Sequence, residues 1–468
     1  PEFFNRPSSF GLDDQSPALN NHYTRRVEPQ EVFPNRTIAA GSNLLTTFDL
    51  YYRPQERGPY NYNTNPADLN PDGTFRNPAQ NWAGIMRRVI GNTDFEAANY
   101  EFIEFWLMDP FLDDPNAPGG ELHFNLGQIS EDVLPDNRRA YEHGLPTNAQ
   151  DDAADRNLTL TPWGRVPNIQ IPTLAFDNDP AARQFQDVGL DGLRSESERT
   201  FFASFLNASR SILSPEAYAR LEADPSSDDY AHFRDLSSTS ILERYERFSG
   251  LEGNSPIPRG NEPYTRQASA LPDVEDINAD GTLNTREAYF DYTVSLRPQD
   301  LVLGRNYIVD KREQEVKLPN GNTIQTRWYL FRIPIAQGRP YGDIQDFKAI
   351  DFIRMYLTGF DRPVVLRFGK LELVATTWRR ALINLNQQDE TLLPDPGADP
   401  TRFETGIVNI EENGSRQPFP YVLPPGILRQ PIPGSPVAGL LQNEQSLALR
   451  ICNLQDGDAR GVFRTFNY

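Results

Sequence analysis

The sequence predicts a mainly β fold: repeated β-sandwich, jelly-roll-like modules with a small helical insert. Three observations predict it. The 468 residues carry 40 prolines and 11 % aromatics at a mean hydropathy of −0.60, which suits a loop-rich β protein better than a helical bundle. Aromatic and β-branched runs of strand length recur along the chain. Two of them recur as an ordered pair, DFEAANYEFIEFWL (94–107) with ELHFNLG (121–127), then DFKAIDFIRMYL (346–357) with VVLRFGKLELV (364–374). Phe102-Ile103 aligns with Phe352-Ile353 at a spacing of 250, and Leu122-His123-Phe124 aligns with Leu366-Arg367-Phe368. Each pair reads as two neighbouring buried strands joined by a loop, the core of a sandwich. Chance likeness between aromatic strands is the alternative, and repetition of both strands in the same order argues against it.

The elements follow in order. Residues 1–80 are an extended lead-in rich in Asn, Pro and Tyr, with strand-like pieces such as LLTTFDLYY (44–52). Residues 81–180 make the first sandwich module, and residues 181–265 the helical insert. In the insert, SESERTFFASFLNASRSIL (195–213) opens with a capping box from Ser195 to Glu198. SPEAYARLEAD (214–224) places Ser214 at an N-cap and Pro215 at the first helical position, and SILERYERFSG (240–250) carries a second box, Ser240 to Glu243, ending at Gly250. Residues 266–384 hold a candidate cation loop and the second module, whose EVKLPNGNTIQTRWYLFRI (315–333) turns as a hairpin at Asn320-Gly321. Residues 385–440 are proline-rich and expected to be irregular, and residues 441–468 start a third β module with SLALRICNL (446–454).

The cation loop is DINADGTLNTRE (276–287). A calcium loop of the EF-hand type wants side-chain oxygens at positions 1, 3, 5 and 9, a carbonyl at 7, glycine at 6 and a bidentate glutamate at 12. Asp276, Asn278, Asp280, Asn284, Thr282, Gly281 and Glu287 fill those places. The alternative is an Asx-rich turn whose side chains cap their own backbone. SALPDVE precedes the loop without helical period and AYFDYTVSL (288–296) follows it as a strand, so calcium here would brace rather than switch. Two weaker relatives exist. DVGLDGLRSESE (187–198) has Asp187, Asp191, Gly192 and Glu198 in register, but Gly189 offers no side-chain oxygen at position 3. DLNPDGTFR (68–76) has Asp68, Asn70, Asp72 and Gly73, with Ala79 at position 12. Both are otherwise Asp-Gly turns.

Catalytic chemistry has no visible home. The four histidines, His22, His123, His143 and His232, lack metal-ligand spacing, and His123 reads as a packed or hydrogen-bonded imidazole on a strand. There is no HExxH, CxxC, GxSxG, P-loop or dinucleotide motif, and with 65 acidic residues paired carboxylates say nothing about glycosidase geometry. A net charge of −20 argues against a nucleic-acid partner. The single Cys452 excludes an internal disulfide framework and reads as a buried thiol. No apolar run has the length of a transmembrane helix. The chain begins PEFFNRP without methionine or signal peptide, so a processed chain or a piece of something longer is expected.

Long phrases then carry a resemblance. ERGPYNYN (56–63), NWAGIMRRV (81–89), TDFEAANYEFIEFWLMDPF (93–111), FNLGQISEDVLPD (124–136), QDVGLDGL (186–193), DPSSDDYAHFRD (224–235), ILERYERFSGLEGNSP (241–256), VEDINADGTLNTREAYFDY (274–292), DFKAIDFIRMYLTGF (346–360), YVLPPGILR (421–429) and NEQSLALRICNLQDGDAR (443–460) resemble the SprA/Sov family in consistent order over nearly the whole chain. The resemblance implies an internal segment of the outer-membrane translocon of type IX secretion in Bacteroidetes-type bacteria, which also serves gliding motility. It implies a very large transmembrane β-barrel that exports folded cargo and associates with a PorV-like barrel protein and a plug protein.

Barrel strands recur as roughly ten-residue runs with one lipid face and one lumen face. FIEFWLM and FIRMYL are apolar on both faces instead, as in sandwich cores. The expectation is therefore soluble modules inserted between barrel strands, as a cap or lumen lining at the outer membrane, with a few strands within 20–60 belonging to the wall. On this reading the segment is not an enzyme, and calcium is structural. The rival is a secreted calcium-braced β-sandwich that binds carbohydrate near Tyr289 and Tyr292; a secreted glycosidase is the remaining alternative.

Overall fold

The computed structural model describes residues 2–7, 17–38, 44–61, 63–139, 148–149, 158–168, 175–235, 241–255, 269, 271–381, 383–385, 393, 400–416, 419–433 and 440–464. Its strands are β1 (Glu2–Pro7), β2 (Phe48–Arg53), β3 (Trp82–Arg88), β4 (Tyr100–Met108), β5 (Gly120–Gln128), β6 (Leu158–Thr161), β7 (Gly164–Pro167), β8 (Ala288–Leu296), β9 (Ile308–Lys317), β10 (Thr323–Pro334), β11 (Arg339–Tyr341), β12 (Phe352–Thr358), β13 (Val364–Ala375), β14 (Arg379–Arg380), β15 (Arg402–Asn409), β16 (Gln445–Cys452) and β17 (Val462–Phe463). Eleven of them form two antiparallel sheets, β1-β2-β13-β4-β10-β9 and β11-β8-β5-β12-β3. The inner faces meet in one apolar core, as in a sandwich. Both sheets are open, and no barrel closes among the described residues.

The mainly β class is as expected, with a different arrangement of the halves. Residues 81–180 and 266–384 do not stack as two separate sandwiches; their strands alternate in the same two sheets. β4 lies between β13 and β10, and β5 lies between β8 and β12. The first pair runs from the six-stranded to the five-stranded sheet, and the second, β12 then β13, runs back. β4 thereby pairs with β13, and β5 with β12. Leu122 and Phe124 face the core with His123 outside, just as Leu366 and Phe368 flank an outward Arg367. The physical reason is that an aromatic strand pair alone buries one face poorly; interleaving places each strand between two partners.

FIEFWLM is apolar on both faces because both are covered. Ile103, Phe105 and Leu107 join the inter-sheet core, where Phe105 stacks on Phe331 at 4.7 Å and meets Phe124 of the other sheet at 5.5 Å. Trp106 and Met108 point the other way and pack with Trp328, Leu330, Val27, Val32 and Phe33 beneath the N-terminal segment. That segment is pinned by Arg367, fully buried, which donates to Asp49 (3.2 Å), the His22 carbonyl (2.6 Å) and the Arg25 carbonyl (2.9 Å). FIRMYL differs. Ile353, Met355 and Leu357 face the core, whereas Arg354 and Tyr356 lie outside, Tyr356 stacked on His123 at 4.5 Å. β2, the strand described within 20–60, is a sandwich strand, with Leu50 and Tyr52 in the core.

The hairpin turns as expected, with Gly321 at φ 87° between β9 and β10. Ser214 caps its helix through the Ala217 N–H, with Pro215 first in Pro215–Ala223. The box from Ser195 to Glu198 does not form, because both side chains turn to partners outside the helix. Ser240 lies outside the described residues. Within 385–440, RFETGIVN is a strand rather than irregular; β15 pairs with β16 along its length, since alternate Phe403 and Thr405 find cover. Cys452 ends that ribbon half-exposed rather than buried, because β16 has one partner strand and no second layer. No described helix is long and apolar enough to cross a membrane.

Candidate functional site

Residues 276–287 fold around their own backbone. Asp276 Oδ1 accepts from the Asp280 N–H (3.1 Å) and Oδ2 from the Gly281 N–H (2.8 Å). Asn278 Oδ1 accepts from the Asp280 N–H (2.8 Å), and Asp280 Oδ1 accepts from the Thr282 N–H and hydroxyl (2.8 and 2.6 Å). Ala279 and Gly281 take φ of 57° and 84° to make the bends. The later positions diverge. Asn284 donates to Glu131 (2.8 Å), and Glu287 grips Arg354 at 3.1 and 3.3 Å while accepting from the Ser130 N–H. Asp276, Asp280 and Glu287 do not converge as three ligands of one ion would. Glu131, fully buried and given no role by the sequence pattern, also accepts from the Asn278 and Asn284 N–H groups (3.0 and 3.2 Å). The loop is thus moored to the sandwich through Glu131 as well as through its own Glu287.

The turn at 68–76 is self-satisfied. Asp68 accepts from Asn63 (2.9 Å), Asn70 donates to the Thr74 hydroxyl (3.0 Å), and Asp72 accepts from the Thr74 N–H and hydroxyl (3.0 and 2.7 Å). Leu69 and Phe75 anchor it among Phe205, Leu206, Ala217 and Leu221 of the helical insert.

The loop at 187–198 is built differently. Asp187 turns toward the 253–255 segment, accepting from the Gly253 and Ser255 N–H groups (3.0 and 2.8 Å). Asp191 and Glu198 turn inward and meet two acids from elsewhere, Asp228 and Glu252. The ligand oxygens of Glu198, Asp228 and Glu252 lie within 4.8 Å of one another, the one such group of His, Cys, Asp or Glu among the described residues. Asp191, Glu198 and Asp228 are each at most 1 % exposed. The backbone brings the segments together: the Leu251 and Glu252 N–H groups both donate to the Asp228 carbonyl (2.7 and 3.0 Å), and Glu252 bridges Val188 and Asp229.

One oxygen of each buried carboxylate is used for positioning. Asp191 Oδ1 accepts from the Leu193 N–H (2.9 Å) and Glu198 Oε2 from the Ser226 N–H (3.0 Å), while the one Ser226 hydroxyl proton is shared between Glu198 Oε2 (2.8 Å) and Asp228 Oδ1 (2.9 Å). Glu252 Oε2 accepts from the Ser195 N–H and hydroxyl (3.0 and 3.1 Å). The second oxygens, Asp191 Oδ2, Glu198 Oε1 and Asp228 Oδ2, are buried without a hydrogen bond. Burial, then the neighbouring Glu198 charge, holds Asp191 well above the usual carboxylate range; burial, then Asp191 and Glu198, does the same to Asp228. Burial and the Glu198 charge push Glu252 up to about 8. Arg247 stands outside the group, bound to Asp224 (2.8 Å) and Asp229 (2.7 Å).

Residues 204–468 match the SprA_N family model, described as motility related/secretion protein. No curated protein matches the chain. The matched residues, more than half of the chain, supply β8 to β13, six of the eleven sandwich strands. β4 and β5 lie before the match, yet each is paired on both sides with matched strands.

Proposed function

The chain belongs to the SprA_N family of motility related/secretion proteins, and from that premise we propose that it is a non-enzymatic segment of the outer-membrane channel of type IX secretion. In this reading the sandwich is a cap or lumen-lining module of a very large barrel. It shapes the exit for folded cargo, supports gliding motility, and meets the rest of the barrel, a PorV-like barrel protein and a plug protein. The family match carries the reading. The interleaved sheets support it in one respect: an insert whose first and second halves share every central strand pairing folds as one block, as a module set between wall strands must. Sandwich strands covered on both sides also leave no continuous lipid-facing belt on β4.

The test inserts an epitope tag at the exposed Asn320-Gly321 turn of the native gene and blots outer-membrane and culture-supernatant fractions. The expected result is a membrane band far above 53.1 kDa. Deleting β8 to β13 should stop export of a secreted protein and colony spreading together. A soluble band near 53.1 kDa in the supernatant, with export unimpaired by the deletion, overturns the reading.

A further inference from the structure

We propose that Glu198, Asp228 and Glu252, with Asp191 beside them, bind one divalent cation of the calcium class, at a largely buried site separate from the exposed loop at 276–287. The proposal does not rest on the secretion reading. Its first support is the division of labour within each carboxylate. Ser195, Ser226 and backbone N–H groups hold one oxygen of each acid, and they leave Asp191 Oδ2, Glu198 Oε1 and Asp228 Oδ2 buried with no hydrogen bond. Buried polar atoms in folded proteins almost always have partners. The orphaned oxygens of Glu198 and Asp228 ask for a common partner, and a cation held between these two acids and Glu252 satisfies both at once.

The second support is Gly189. It occupies the third position of the DVGLDG loop, where a calcium loop carries an oxygen ligand. A Cβ on Gly189 would stand 2.6 Å from Asp228 Oδ2, one of the orphaned oxygens. The missing ligand is therefore supplied from outside the loop, and glycine at φ 68° clears the space for it. Glu198 stands at the twelfth position, so the loop's first helix turn contributes its own acid. Glu252 comes from the segment that Asp228 holds by two backbone hydrogen bonds.

The chemistry selects the ion. The donors are hard carboxylate oxygens without sulfur or imidazole, which suits calcium, magnesium or manganese and not zinc or copper. Magnesium sheds its water reluctantly and is seldom held by an all-protein cage, whereas calcium accepts many carboxylate oxygens in irregular geometry. A largely buried group of three converging acids fits calcium. Bound there, the ion ties three chain segments of the helical insert to one point, a largely buried brace.

The experiment uses the full chain, stripped with a chelator and titrated with calcium chloride by calorimetry. Terbium chloride is titrated in parallel, its luminescence sensitised through Trp163, which packs against the cluster of Leu134, Leu190, Phe202 and Leu251. Native mass measurement with and without calcium chloride counts the retained ion without any variant. One ion is expected per chain in the buried class, with a raised unfolding midpoint through linkage. Asp228→Asn and Glu198→Gln should weaken calcium binding by more than about 100-fold, the upper end for loss of a mere supporting residue. They should also abolish the midpoint shift, while the chelated variants melt no lower than chelated wild type because a repelling charge is gone. Asp280→Asn in the exposed loop should leave this ion in place. Absence of a retained ion in wild type, or an unchanged calcium response in folded Asp228→Asn and Glu198→Gln, overturns the proposal and leaves a proton-sharing acid cluster.

Discussion

Asp228 Oδ2 occupies the space that any side chain on Gly189 would need: an ideal Cβ there would lie 2.6 Å from it. The two residues are far apart in sequence but locked together, since Gly189 at φ 68° is in the left-handed region that favours glycine. Gly189→Ala therefore strains the backbone and drives out a carboxylate held on its other side by Ser226. Loss of about 1 to 3 kcal/mol is expected from the strain at such a position, with the calcium-dependent rise of the unfolding midpoint removed. Differential scanning calorimetry with and without calcium reads both. An alanine variant as stable and as calcium-responsive as wild type would show that the contact does not constrain the loop.

Glu131 should matter to the exposed loop more than the loop's own Glu287. It accepts three hydrogen bonds from Asn278 and Asn284 while fully buried, whereas Glu287 serves Arg354. Glu131→Ala leaves two backbone N–H groups without their acceptor, each worth on the order of 1 to 3 kcal/mol when stranded. Hydrogen exchange of residues 278–284 should speed up strongly in Glu131→Ala and only modestly in Glu287→Gln. Equal protection in both variants would refute the mooring role.

What the sequence disclosed and what it withheld divides along physical lines. Phe105 and Trp106 are both apolar neighbours on one strand, so two-sided burial of β4 was legible from local pattern. The partners of that strand were not, because pairing with β10 and β13 is decided by packing among segments more than two hundred residues away. Ser195 and Glu198 have the types and spacing of a capping box, and the fold uses them otherwise, since a buried acidic pocket offers Glu198 the Ser226 donors. Asp228 and Glu252 carry no motif; each is an isolated acid until the backbone bridges of Glu252 with Val188 and Asp229 bring it to the 187–198 loop. The one available hint was the gap itself, a calcium-like register with glycine where an oxygen belonged. RFETGIVN was hidden by Gly406 and Thr405, which weaken its alternation until β16 pairs with it.

The pair Arg367–Asp49 makes a sharper case for burial. Both side chains are at most 2 % exposed, and Arg367 also ties down the carbonyls of His22 and Arg25. Asp49→Ala leaves a buried guanidinium without its counter-charge, and about 3 to 5 kcal/mol of destabilisation is expected. The double variant Asp49→Leu with Arg367→Met should recover much of that loss, because desolvation of both ions disappears. Urea unfolding followed by Trp106 and Trp328 fluorescence reports on the sheet face beneath this segment. A double variant no more stable than Asp49→Ala would mean that the carbonyl contacts of Arg367, and not the ion pair, hold the segment.

Asp273 gives the fold a pH dependence of predictable sign. Burial, reinforced by the nearby Asp187 charge, pushes its carboxyl up to about 7, against the hydrogen bond it accepts from Asn254. Between the ordinary carboxylate value of 3.8 and about 7 the folded chain holds a proton that the unfolded chain has released. Stability from this group is thus fully present below 3.8 and is lost as pH rises through about 7. At roughly 1.4 kcal/mol per pKa unit the loss amounts to a few kcal/mol. Asp273→Asn cannot ionise and keeps the neutral form's donor and acceptor, so the wild-type midpoint should fall relative to the variant as pH is raised from about 4 to about 8. Thermal unfolding of both proteins across that range, in chelator to silence bound cations, measures the difference directly. A constant difference between the two curves would place the Asp273 proton equilibrium at its unfolded value, and a wild-type midpoint that rises relative to the variant with rising pH would reverse the sign argued here.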